Sequence, residues 1–125
     1  MINAVLLYVG AGIITVWGIA HIVPVKSVVS GFGQISPDNR RIITMEWISE
    51  GLTLIFIGLL VLLTTIFAGP NNSLSHIVYW TSAGMLLVMA ALTAATGART
   101  SIVPIKICPW VKIAVAILFV LGITL

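Results

Sequence analysis

Four apolar blocks, separated by short polar stretches, organise this chain: Ile2 to Val23, Ile42 to Phe67, His76 to about Thr96, and Trp110 to Leu125. A helix rising about 1.5 Å per residue needs about 20 such residues to cross a hydrocarbon core about 30 Å thick. The pattern predicts an all-α integral membrane four-helix bundle, a single domain over residues 1–125. The last block is short for a span, so its helix is expected to start near Ile107 or to sit where the bilayer thins. Met1 to Val23 has the length of a signal peptide. It lacks a basic leading segment and a small-x-small cleavage site before Pro24, and is expected to be a mature helix.

The polar positions are as informative as the apolar ones. All nine formally charged residues fall in two windows, Lys26 to Glu50 and Arg99 to Lys112. The six basic ones, Lys26, Arg40, Arg41, Arg99, Lys106 and Lys112, lie on the side shared by the first and third connections, whereas the Ala68 to Ser75 loop and both ends have none. The bias predicts that the charged side is cytoplasmic, with both termini outside a prokaryotic plasma membrane. Composition agrees with a bilayer protein: 60% of residues are hydrophobic and 7% charged, against about 25% charged in soluble domains. The net charge of +3 therefore belongs to topology and to anionic lipid headgroups, and implies no nucleic-acid partner.

Several local features bear on packing. Ile22-Val23-Pro24-Val25-Lys26 and Ile102-Val103-Pro104-Ile105-Lys106 match 80 residues apart. They suggest two parallel helical hairpins related by an axis along the membrane normal, although proline ends helices and lysine anchors them without any duplication. Glycines at 10, 12, 18, 51 and 58, and the small residues Ser82, Ala83, Gly84, Ala90, Ala91, Ala94 and Ala95, allow close helix approach. They would also allow a homo-oligomer through a helix face. Cys108 is the lone cysteine, so no intramolecular disulfide or thiol pair can form. Asn71-Asn72-Ser73 reads as a tight loop whose Ser73 or Ser75 caps the third span.

Chemistry concentrates on the second helix. Ser36-Pro37-Asp38 is a strong helix start. A helix from Pro37 to Phe67 would be about 46 Å long, so its first turns, with Arg40 and Arg41, should lie in the interface. Glu46 then sits at the boundary, and Glu50 one turn deeper on the same face. A carboxylate there is costly unless paired or in a wet cavity, so Glu50 is expected to face the bundle interior. His21, one turn before Pro24 in the first helix, has comparable depth. Trp17 and Trp47 lie at helical spacing from His21 and Glu50 as aromatic walls, and Arg99 is expected to add a cation. Lys112 is read as snorkelling to the headgroups, and Tyr79, Trp80 and Trp110 as interfacial belt residues. With His76 on the opposite side, the one remaining histidine makes a haem or zinc site improbable, and no residue names a cofactor.

Gly18-x-x-His21-x-x-Pro24, followed by Trp47-x-x-Glu50-Gly51 and Gly58, resembles the DoxX-like group of small four-helix membrane proteins over roughly the first 60 residues. The resemblance implies a small bundle with a polar residue late in helix one and a glutamate early in helix two, in a group sometimes linked to quinone or sulfur redox chemistry. Four-helix membrane enzymes that isomerise or cyclise sterols and terpenoids are similar in architecture. On that likeness Glu50 would be the catalytic acid or base, His21 its partner, Glu46 a proton relay, and Trp17 and Trp47 a cation-stabilising wall. The expectation is a lipophilic small molecule bound in a polar cavity near the cytoplasmic face, with proton transfer as its chemistry if it is an enzyme. The alternatives are an accessory subunit or a small transporter in which His21 and Glu50 fix packing or couple to protons.

Overall fold

A computed structural model describes residues 1–125 and contains no strand. Five helices follow one another: α1 (Ile2–Ile22), α2 (Val25–Ser30), α3 (Pro37–Phe67), α4 (Ser73–Ala95) and α5 (Val103–Thr124), with one 3-10 turn, Gly97–Arg99, before α5. The four long helices are each long and apolar enough to cross a membrane, and the chain is a multi-pass membrane protein.

Local chemistry sets the ends. Ser36 accepts from the Asn39 N–H at 3.1 Å, with Pro37 opening α3, as its sequence requires. The cap of α4 is Asn72, not Ser73 or Ser75: its side chain accepts from the Leu74 N–H at 2.9 Å. The asparagine side-chain carbonyl reaches the N–H two residues on, and this leaves Ser73 to begin the helix. The last span starts at Val103, ahead of the expected Ile107, because Pro104 needs no N–H partner in a first turn. Its 22 residues reach about 33 Å and match the hydrocarbon without thinning. Pro24 ends α1 and caps α2, a short helix absent from the sequence reading.

α1 packs most extensively on α3 and α4 on α5, with α1 and α5 joining the two pairs, while α3 and α4 touch little. At the α1–α3 seam a methyl on Gly18 would stand 2.7 Å from the Gly51 carbonyl oxygen. Only glycine permits that approach, and in lipid such contact replaces the absent hydrophobic drive. The core takes three residues from each long helix: Leu7, Ala11 and Ile14; Leu54, Ile57 and Val61; Tyr79, Ala83 and Leu86; Val115, Ala116 and Phe119. It fills the half of the bundle nearer the termini. Asn3 donates to Asn71 at 3.0 Å, and Gly122 packs against Leu7, so both termini and the α3–α4 loop share that end.

Tyr79 belongs to this core and not to an interfacial belt. It is fully buried, and its hydroxyl bonds Thr65 at 2.9 Å. Trp80 and Trp110 are exposed, as a belt requires.

Candidate functional site

Toward the charged end the sparse contact between α3 and α4 leaves space. A cavity of about 740 Å³ lies there, lined by α1, α3, α4 and the segment Pro104 to Cys108. Exposed residues of both α3 and α4, Ser49 and Met85 among them, form part of its wall, so its mouth lies between these helices. Pro24 and Pro104, the matched prolines of the two Ile-Val-Pro-x-Lys segments, both line it.

The polar wall is assembled from all four long helices. Trp47, one turn before Gly51 on α3, donates its indole N–H to the His21 carbonyl at 2.5 Å, a carbonyl at the end of α1 that has no helical donor. The same indole stacks on the His21 imidazole, with centroids 4.1 Å apart and planes 13° from parallel. Together these contacts hold the ring beside Glu50, whose Oε2 is 3.4 Å from His21 Nε2. The other carboxylate oxygen, Oε1, accepts from Lys112 Nζ at 2.5 Å. Lys112 also donates to Thr93 Oγ1 at 2.9 Å, and the Thr93 hydroxyl donates in turn to the Met89 carbonyl at 2.9 Å.

His21, Glu46, Glu50, Trp17 and Trp47 all line this one cavity. Glu46 is exposed and forms no ion pair, and stands on the wall one turn from Glu50. Arg99 does not join them. It is exposed at the end of the 3-10 turn and lies outside the cavity wall, although Gly97 at the start of that turn lines it.

The cation that meets Glu50 is Lys112, with a side chain 0% exposed. The snorkelling expectation fails because α5 begins at Val103. Lys112 then lies nine residues inside the helix, about 14 Å along it, and a cation at that depth needs a buried partner. The missed signal was the apolar flanks of Lys112, Val111 and Ile113, which match those of a pairing partner for Glu50. Trp17 donates to Cys108 Sγ at 3.3 Å, so the lone cysteine ties α5 to α1 one turn from Lys112. His76 sits in the first turn of α4 at the far end, and no three His, Cys, Asp or Glu side chains converge as metal ligands. No family model, curated protein or solved structure matches the chain.

Proposed function

We propose that this protein binds a lipophilic small molecule, taken from the lipid through the α3–α4 mouth, in a cavity near the cytoplasmic face of a cell membrane. One observation carries the reading: Glu50, the deepest carboxylate of the chain, is not sealed in packing but keeps a side chain 33% exposed in the wall of a 740 Å³ cavity. Cavities of about 300–1,000 Å³ with apolar walls and a few polar groups are typical small-molecule sites.

A pair that only fixed packing would be better served by apolar residues of equal volume, since buried ion pairs stabilise little. Intramembrane ionisable groups point first to function. Binding is favoured over transport because the core from Leu7 to Phe119 fills the opposite half of the bundle and gives the cavity no second exit. The residues behind the DoxX-like resemblance take distinct parts in this reading: Gly18 and Gly51 close the α1–α3 seam, while His21, Trp47 and Glu50 build the polar wall.

The test is native mass spectrometry of the purified protein beside Thr53→Trp, which fills the cavity from α3. Wild type is expected to carry a co-purifying lipophile that the folded variant lacks. Equal retention by both, or none by wild type, overturns the proposal.

A further inference from the structure

The side chains of the cavity wall present more free acceptors than free donors. Thr53, Thr93 and Thr96 all line it, and each hydroxyl donates to the carbonyl one turn back, Ser49, Met89 and Leu92 respectively. With their protons spent these oxygens can only accept, and Thr93 already accepts from Lys112. Both tryptophan N–H groups are committed as well, Trp17 to Cys108 and Trp47 to the His21 carbonyl. Lys112 spends its ammonium on Glu50 and Thr93.

The backbone adds to the imbalance. Pro24 and Pro109 have no N–H for the carbonyls four residues earlier, those of Ala20 and Ile105, and both of these residues line the cavity. Glu50 keeps Oε2 free of any hydrogen bond, with only His21 Nε2 at 3.4 Å. The protons not yet committed are those of Ser49 at the mouth, the His21 imidazole, the Cys108 thiol, and the Gly97 and Ile105 N–H groups at the α4–α5 connection.

Charge narrows the ligand further. The single carboxylate deep in the wall is matched by the single ammonium of Lys112 at 2.5 Å, so the pair is neutral overall. At Glu50 a cationic head would have to compete with a fully buried lysine, which leaves it only the exposed, unpaired Glu46 one turn away, and an anionic head would meet the Glu50 carboxylate directly.

We infer that the ligand is a neutral lipophile whose head donates a hydrogen bond, an alcohol in its simplest form, with the hydroxyl placed on Glu50 Oε2. This rests on the cavity reading above and specifies its ligand class. Ketones, esters and ethers, which only accept, have no proton to give Glu50 Oε2.

Four probes with one chain separate the possibilities: oleyl alcohol, its methyl ether, oleylamine and oleate, each titrated against detergent-solubilised wild type and Thr53→Trp by native mass spectrometry. The alcohol is expected to bind wild type about tenfold tighter than the ether, the scale of one hydrogen bond to a charged acceptor, and tighter than the amine or the acid. In the double variant Glu50→Gln/Lys112→Met the alcohol and ether should bind alike, since a carboxamide both donates and accepts.

Equal or tighter binding of the ether to wild type overturns the donor requirement, and tighter binding of the amine or the acid overturns the neutral head. In each case loss of binding in Thr53→Trp leaves the cavity reading standing. Failure of all four probes to bind wild type overturns the cavity reading and this inference together.

Discussion

Lys112 and Glu50 meet at 2.5 Å across the two halves of the bundle, and the environments of the partners differ: the lysine is 0% exposed and the glutamate 33%. The difference dictates which loss hurts more. Glu50→Gln strands an ammonium with no water to reach, and removing one partner of a buried pair costs about 3–5 kcal/mol. Lys112→Met leaves a carboxylate that the cavity can hydrate, so its loss should be smaller. Removing both charges strands neither. Apparent melting temperatures followed by circular dichroism in one detergent should fall in the order wild type, double variant, Lys112→Met, Glu50→Gln; equal losses in the two single variants would contradict the asymmetry.

The α1–α3 seam makes a second prediction. A methyl at Gly58 would meet the Ala11 carbonyl oxygen at 2.8 Å, whereas one at Gly12 meets nothing within 4 Å. Gly58→Ala must therefore push α1 from α3, at about 1–3 kcal/mol for overpacking. Gly12→Ala should be neutral or stabilising by up to about 1 kcal/mol through helix propensity. Unfolding in rising mole fractions of SDS compares the two directly.

The spans were legible because twenty apolar residues in a row have few fates in water, and Ser36-Pro37-Asp38 marks a helix start by its own chemistry. His21 and Glu50 were legible because an ionisable group inside an apolar run needs a reason to be there. The same logic applied to Lys112 and was missed, since its depth depended on where α5 begins, and a proline-led first turn at Val103 hid that start. Arg99 was misplaced for the opposite reason: one 3-10 turn decides its direction, and no periodicity reports on three residues. Tyr79 shows a further limit, because a tyrosine near a span end suits an interface and a core equally until the position of Thr65 is known.

Tyr79 and Thr65 supply a third prediction. Their hydroxyls bond at 2.9 Å inside the core, and Thr65 also donates to the Val61 carbonyl at 2.7 Å. Tyr79→Phe removes one partner but leaves Thr65 its backbone bond, so the loss should be about 1 kcal/mol, within the range of a single internal hydrogen bond. Thr65→Val in the Tyr79→Phe background should then add less than Thr65→Val in wild type. A double-variant cycle by SDS unfolding measures this coupling, and strictly additive losses would mean that the two hydroxyls do not interact.

The orientation of the site in the membrane follows from charge and can be read with thiol labels. Asn71 and the N-terminal Asn3 share one end of the bundle, and that end has no lysine or arginine; Ser27 and Ser101, both exposed, lie at the charged end. Basic residues are retained on the cytoplasmic side during insertion, so the mouth of the cavity is expected in the cytoplasmic half of the bilayer. With Cys108→Ser as background, Asn71→Cys in intact cells should react with a membrane-impermeant maleimide, while Ser27→Cys and Ser101→Cys should react only after permeabilisation. Labelling of Ser27→Cys in intact cells would place the charged end outside, and Glu50 would then draw its ligand from the outer leaflet.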